Sequence, residues 1–552
     1  VSDTLPTVHS RYTDEQIAAF YASGHWQASS FFSVATDKAR SGHSRTFVFD
    51  GTTSLTYGEF HERTVRLAAG LAAIGIGRGD RVAVQLPNWT EFPLVAAALS
   101  RIGAITVPIM PIYRDDEVGY VLDHSGAVAA VTADTFRGFD HRAMFQSLQA
   151  GRDHLKRIIV ARGEGGDLAG ATALESLFAE GDPSDLDEAL GPDSSPDDGF
   201  LIVYTSGTTA RPKGCFHTFN TLRASAAAIG ASLRYTAEDV QFGPSPITHS
   251  TGLVTSVVLP LLAGASSHLM EAWDPQEGLA RIERHGCTVA VTATPFLQML
   301  MAAYDPAKHD PASMRAWVCA GSPIPGAVVE QARQVLPCCR TLSLYGRSEN
   351  FLTTMCTIED PPERAVLSDG SALAGARVRV VGPDGLELPR GEEGDLAYRG
   401  PSHMIEYFRD EEQTAALFTP DGFSRSGDLG RMDADGFVRV TGRIKDIIIR
   451  GGMNISAREI EDHLLTHPAI ASVAVVGMPD ERLGEKACAF VVLAPGADSL
   501  ALDDVTDYLR AQRVAVQKVP ERLEIVSALP MTATGKVRKH VLRAEIRRRL
   551  VA

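Results

Sequence analysis

Tyr204-Thr-Ser-Gly-Thr-Thr-Ala-Arg-Pro-Lys-Gly214 follows without a break on the apolar run Phe200-Leu-Ile-Val-Tyr204. A short apolar run bounded by turn residues reads as a buried strand. The loop after it is made of hydroxyls, glycines and one lysine, so it offers O–H, backbone N–H and ammonium donors to phosphate oxygens. It is not a Walker A loop, because no G-x-x-x-x-G-K-[ST] occurs. On composition alone an ordinary polar turn after a strand stays open.

On either side of this stretch the chain alternates. Before it, a helix opens at Thr56-Tyr-Gly-Glu-Phe60. Arg81–Leu86 reads as a strand, Phe92–Leu99 as a helix, and Ala104–Pro108 and Ala127–Val131 as strands. After it, strands are expected near Cys287–Val291, Ala316–Ala320 and Thr341–Leu344. Strands separated by helical stretches imply parallel sheets with helices on their faces. The Gly-, Asp- and Glu-rich stretch 163–198 reads as a surface connection, and Arg377–Val380, Gly394–Tyr398 and Val438–Val440 as a more β-rich part.

Gly442-Arg-Ile-Lys-Asp446 marks a candidate boundary, with a compact α/β unit beyond it. Ser456-Ala-Arg-Glu459 fits a capping box, and its helix is expected to end near His467-Pro468. Strands at Ile470–Val476 and Ala487–Leu493 and a helix at Leu500–Arg510 follow. Arg547-Arg548-Arg549 reads as a solvated helix end whose cations complement the macrodipole.

The 552 residues carry 53 Lys and Arg against 68 Asp and Glu, a net charge of −15. Such a chain repels a nucleic-acid backbone. Seven scattered cysteines without a C-x-x-C argue for a reducing cytosol and against a zinc knuckle. The opening residues lack a secretory pattern, so a cytoplasmic protein is expected. Thr251–Ser267 is apolar but short and broken by Pro260. It reads as a buried helix, and no membrane span is expected. The apolar stretch Pro93–Ile112 carries Arg101 and three prolines and reads as core.

In order, the loop and seven later stretches resemble the motifs of the adenylate-forming (ANL) superfamily, in its acyl- and aryl-CoA synthetase branch. The loop is similar to Y-T-S-G-T-T-G-x-P-K-G, with Ala210 at the third glycine. Pro246-Ile-Thr-His-Ser-Thr-Gly252 resembles P-x-x-H-x-x-G, and Ala320-Gly-Ser-Pro-Ile-Pro325 the strand end that lies along adenine. Leu344-Tyr-Gly-Arg-Ser-Glu349 is similar to Y-G-x-T-E, Ser426-Gly-Asp428 to T-G-D, and Gly442-Arg-Ile-Lys-Asp446 to the hinge motif. Gly451-Gly-Met-Asn-Ile-Ser456 resembles the small-domain loop that faces the second half-reaction. Pro530-Met-Thr-Ala-Thr-Gly-Lys536 is similar to P-x-T-x-[ST]-G-K.

The resemblance implies an α/β (α+β) protein. A large N-terminal domain over 1–444 holds two α/β sheets and a β-rich subdomain. A small mobile C-terminal α+β domain over 445–552 pivots at Lys445. It implies that Lys536, Glu349 and Thr205 carry the chemistry. Thr205, Ser206, Gly207, Thr208, Thr209 and Lys213 would hold the phosphates. Gly321, Ser322, Pro323, Tyr345, Gly346 and Ser348 would border the nucleotide, with Asp428 and Arg443 on the ribose side and Glu349 on Mg²⁺. A hard cation bridging phosphate oxygens needs one or two carboxylates and several waters, which suits a single Glu. His249, Ser250, Gly252 and Leu344 would line the acid pocket.

The implied reaction joins a carboxylic acid to ATP as an acyl-adenylate, releases pyrophosphate, and transfers the acyl group to coenzyme A. The N-terminal third looks most like ligases of cyclohexanecarboxylate-type acids. Two alternatives stay open: a carrier-protein acceptor, and a diazotase that activates nitrite against an arylamine.

Overall fold

The computed structural model describes residues 5–163, 168, 170–205, 211–321, 324–532 and 536–551. Ser206, Gly207, Thr208, Thr209, Ala210, Ser322 and Pro323 lie outside them.

Two eight-stranded sheets dominate the larger part of the molecule. Edge to edge, the first runs Thr354–Met355, Arg340–Tyr345, Ala316–Ala320, Val289–Ala293, Val240–Gly243, Ser266–Leu269, Thr46–Phe49 and Ser54–Thr56. The second runs Glu406–Tyr407, Gly214–Thr218, Gly199–Tyr204, Ile105–Pro108, Arg81–Gln85, Ala129–Ala133, Arg157–Ala161 and Thr172–Ala173. Interior pairings are parallel, and antiparallel strands sit toward the edges. Parallel strands buried on both faces read as continuous apolar runs, which is why Arg81–Gln85, Ala129–Ala133, Gly199–Tyr204 and Ala316–Ala320 were legible, whereas Thr46–Phe49, Arg157–Ala161, Val240–Gly243 and Ser266–Leu269 were not expected.

Helices Phe31–Gly42, Tyr57–Ala73, Glu91–Arg101 and Phe219–Ser232 share one apolar cluster with both sheets. The second of these starts where it does because Thr56 Oγ1 accepts from Glu59 N at 3.2 Å while Glu59 Oε2 accepts from Thr56 N at 2.8 Å. That reciprocal cap satisfies two otherwise orphaned donors.

A four-stranded antiparallel sheet follows, in the order Arg377–Val381, Gly394–Arg399, Ser424–Met432, Val438–Arg443. The one-turn helix Ile444–Asp446 then leads directly into Ile447–Arg450 of a smaller, five-stranded sheet. That sheet has its own core, built on Ile448, Ile455, Ile460, Val475 and Val491. The fold is thus a mixed α/β protein with a large N-terminal domain of sheets and a smaller C-terminal one.

Four sequence expectations are corrected. Thr251–Ser267 is not one helix: Ser250–Leu253, a π-turn at Val254–Val258 and Leu259–Ala263 end at Gly264, whose φ of 76° lets the chain turn into strand Ser266–Leu269. The 163–198 connection holds a helix, Pro183–Ala189, fixed where Arg101 Nε donates to Asp187 Oδ1 at 2.6 Å. The box at Ser456 is half formed: its hydroxyl accepts from Glu459 N, but Glu459 pairs with Lys518 at 2.6 Å instead of reaching back. The helix it opens, Ala457–Leu464, stops short of His467.

Trp317 is fully buried in strand Ala316–Ala320, with its indole N–H donating to Thr292 Oγ1 at 2.9 Å. Trp317→Ala should lower stability by about 3–5 kcal/mol, read as an earlier denaturation midpoint in urea.

Candidate active site

In parallel sheets, ligands bind beyond the carboxyl ends of the strands. Here strand Gly199–Tyr204 leads into Thr205, Ala316–Ala320 into Gly321, and Arg340–Tyr345 into Gly346. All three residues border one cavity of about 1070 Å³. Lys213, His249, Ser250, Leu344, Ser348 and Glu349 line it too, and Asp428, Arg443, Lys445 and Lys536 close it from the side of the smaller sheets. Gly252 and Tyr345 do not line it. Gly252 faces backwards: a Cβ there would lie 2.2 Å from the Pro246 carbonyl oxygen, so this glycine serves the tight turn behind His249.

The neck of the phosphate-loop stretch is a hairpin. Thr205 N donates to Lys213 O at 2.9 Å, and Lys213 N donates to Thr205 Oγ1 at 3.1 Å. Strand Gly214–Thr218 then runs antiparallel to Gly199–Tyr204. Sequence reading missed this strand, because Gly-Cys-Phe-His-Thr has neither a long apolar run nor a clean alternation. The Lys213 ammonium donates to Gln413 Oε1 at 2.7 Å and sits 4.6 Å from the Tyr407 ring centre.

The Tyr345–Glu349 stretch is a turn that leaves no room for a side chain at Gly346. A Cβ on Gly346 would lie 1.8 Å from the Phe351 carbonyl oxygen, which explains the glycine. Glu349 takes a hydrogen bond from the Tyr407 hydroxyl on Oε1 at 2.5 Å, and its carbonyl accepts from Met404 N at 2.6 Å. Burial, reinforced by the Glu349 charge, pushes the Tyr407 hydroxyl far above the usual tyrosine range, so it stays a donor. Tyr407 and Arg347 were missed from sequence. Arg347 donates to Asn350 Oδ1, Arg425 O and Ser424 Oγ, tying the turn to the four-stranded sheet. A cation two residues before the acidic motif residue was the available signal.

Asp428 is 5% exposed and faces Arg443 across paired strands. Its Oδ1 meets Arg443 Nε at 2.8 Å, and its Oδ2 accepts from the Tyr345 hydroxyl at 2.6 Å. Asp428 holds the Arg443 guanidinium above its ordinary value. Tyr345 packs its ring against the core of the four-stranded sheet. Lys536 reaches this group from the C-terminal domain, where Thr532 N donates to Lys536 O at 2.7 Å. Burial and then Arg443 pull its ammonium from 10.5 down to about 8. The half-buried His249 is held near 4 by burial and by Lys536, so it is a neutral imidazole at pH 7. Its Nδ1 accepts from Thr251 N at 3.4 Å.

A cavity that gathers a neutral imidazole, the Glu349 carboxylate and cations including Lys213 and Lys536 around a buried Asp–Arg pair suits the joining of a carboxylate to a nucleotide phosphate. The chain belongs to the AMP-binding enzyme family: that family's model matches residues 35–408, and the model of its C-terminal domain matches 459–536. It is 37% identical over 542 residues to the medium-chain fatty-acid–CoA ligase of Escherichia coli, covering 98% of this chain and 94% of that one. It is 35% identical to the salicyl-AMP ligase / salicyl-S-ArCP synthetase of Mycobacterium tuberculosis, covering 96% and 93%. The ATP-bound structure of MatB from Rhodopseudomonas palustris superimposes with a TM-score of 0.84 at 28% identity, over 94% of this chain and 99% of that one. The protein is therefore an ATP-using, adenylate-forming ligase of the ANL superfamily. Among the described residues no helix is long and apolar enough to cross a membrane.

Gly346→Ala should cost about 1–3 kcal/mol of stability, as overpacking does, and abolish ATP–pyrophosphate exchange. A variant that exchanges at the wild-type rate would show that the turn tolerates displacement.

Proposed function

We propose that the chain activates a compact carboxylic acid (aryl, alicyclic or short) as its acyl-adenylate and passes the acyl group to coenzyme A. The observation that carries this reading is the entry of Lys536 from the C-terminal domain into the cavity bordered by Asp428, Arg443, Glu349 and His249. A carboxylate oxygen attacks the α-phosphorus of ATP. An O–P bond forms, the bond to the β-phosphate bridge breaks, and pyrophosphate leaves with the electron pair. Lys536 spans the carboxylate and the α-phosphate, where charge develops and fixed cations act most strongly. Thr205 and Lys213 take phosphate oxygens, together with Ser206, Gly207, Thr208 and Thr209. Gly321, Ser322, Pro323, Gly346 and Ser348 border the nucleotide. Asp428 and Arg443 take the ribose, with Tyr345 bracing Asp428.

Glu349 lines the cavity and forms no ion pair among the described residues. Its carboxylate, hydrogen-bonded through Oε1 to Tyr407, suits Mg²⁺. Mg²⁺ bound there would neutralise phosphate charge.

In the second step the coenzyme A thiolate attacks the acyl carbon, a C–S bond forms, the acyl C–O bond to the phosphate breaks, and AMP leaves with the electron pair. We place the domain boundary between 444 and 445, with Lys445 as the pivot. The three-residue turn Ile444–Asp446 is the connection between the two smaller sheets, and Arg543 Nη2 grips it through Asp446 at 2.5 Å. Coenzyme A as acceptor is supported by Arg114, Arg137 and Arg211. They line the cavity of this acidic protein and form no ion pair among the described residues, so they offer charge to a polyphosphate. A carrier-protein acceptor is the second reading, favoured by the name of the mycobacterial relative. ATP–pyrophosphate exchange over a panel of acids, followed by coenzyme A against a carrier protein, tests both.

Lys536→Ala should lower adenylate formation by about 10²–10³-fold yet spare thioester formation from supplied acyl-adenylate. Equal loss of both would overturn the assignment. The ammonium also has a pH signature. Without nucleotide it loses its proton near pH 8, whereas bound phosphate favours the charged form. Above pH 8, ATP binding should therefore take up protons. Calorimetry at pH 9 in buffers of different ionisation enthalpy should detect the uptake in the wild type, and Lys536→Met should lack it.

Leu344 is 7% exposed, pairs with Ala320 and lines the cavity. Longer acids would have to displace its isobutyl group, at about 1–3 kcal/mol. Leu344→Gly should extend acceptance toward longer acids and weaken small cyclic ones. An unchanged chain-length profile would show that Leu344 only completes the core.

A further inference from the structure

His217 is fully buried, is not part of the cavity wall, and takes no part in the chemistry above. It sits on strand Gly214–Thr218, the strand that leaves the phosphate-loop stretch. Its Nε2 lies 2.8 Å from the Ser348 carbonyl oxygen, so it donates there, and its Nδ1 lies 3.0 Å from Thr221 Oγ1. Burial holds the imidazole near 3, which makes it a neutral ring with a single N–H. That N–H is the one that meets Ser348.

The same ring meets the turn a second time. Its centre is 4.3 Å from that of Phe351, at 36°. Phe351 has a φ of 50°, in the left-handed region that a bulky residue adopts only when its surroundings impose it. Its N–H reaches back to Arg347 O at 2.6 Å, and its carbonyl oxygen is the atom that crowds Gly346. The turn from Gly346 to Thr353 is therefore strained at Phe351 and close-packed at Gly346, and Glu349 is carried in its middle. Ser225, on the helix that follows the His217 strand, adds a hydrogen bond to Asn350 O at 3.3 Å.

We infer that His217 is a positioning residue: through its hydrogen bond to the Ser348 carbonyl, it fixes Glu349 relative to strand Gly214–Thr218, which continues from Lys213. This rests on the proposed role of Glu349 toward Mg²⁺. The physical logic is a matter of reference frames. Mg²⁺ held by Glu349 would have to meet phosphates that Thr205 and Lys213 take, so the distance between the turn and the strand that follows Lys213 has to be set. His217 stands on the loop's own strand and holds the turn that carries the carboxylate. Outer partners of metal-holding groups cost about 10–100-fold in metal affinity or activity when removed.

Two amide variants isolate the hydrogen bond. His217→Gln places a donor near the Nε2 position, whereas His217→Asn stops short of Ser348 O. Both lose the ring and both bury an amide, so a general packing effect moves them together. Calorimetric binding of ATP to the full chain, with and without Mg²⁺, reads the gain in affinity that the metal confers. His217→Asn should lose at least about tenfold of that gain, while His217→Gln stays within about threefold of wild type. Equal losses in the two, or an unchanged gain in His217→Asn, overturn the positioning role. Glu349→Gln is the control: if it leaves the Mg²⁺ gain untouched, the metal assignment itself is wrong and the role of His217 falls with it. His217→Phe restores a ring without a donor. It should behave as His217→Asn does, and wild-type behaviour would overturn the role of the hydrogen bond.

Discussion

The ion pair between Asp428 and Arg443 is the constraint on which the arrangement of the site depends. The two residues face each other on neighbouring strands of the four-stranded sheet, one almost fully buried. The pair engages Tyr345, at the end of a strand in the first large sheet. Arg443 is also the last residue before the turn that leads to the C-terminal domain. One carboxylate thus ties together two sheets and the root of a third. Removing one partner of a buried pair leaves an uncompensated charge and costs far more than the pair contributes. The geometry around the cavity is correspondingly hard to relax by a single change.

The cavity's other half is fixed by backbone. The hairpin neck at Thr205 and Lys213 and the close-packed turn from Gly346 to Phe351 project side chains from main chain that has few alternatives. Such preorganised groups stabilise developing charge without paying to reorganise when the reaction occurs. Strain is tolerated in the turn because the hydrogen bonds of Arg347, Asn350 and Tyr407 hold it from several directions.

Much of this was legible in the sequence, for identifiable reasons. Interior strands such as Arg81–Gln85 and Ala316–Ala320 are buried on both faces and announce themselves as apolar runs. Motif residues such as Lys536, Glu349 and Asp428 stand out by order and spacing, and they do border one cavity. What stayed hidden depends on long-range contacts. Gly252 looked like a pocket residue and proved to be a turn requirement. Arg347 and Tyr407 acquire meaning only when strands far apart in sequence meet. The short strands Val240–Gly243 and Ser266–Leu269 lack the length that makes a pattern.

Burial, and then the nearby Arg443 and Lys445, press the Lys536 ammonium toward neutrality, while Asp428 and Glu349 oppose them. Like charges gathered in a poorly solvated space store repulsion. A polyanion between them converts that repulsion into attraction, and its departure restores it. Negative charge entering the cavity therefore strengthens the hold that Lys536 has on it.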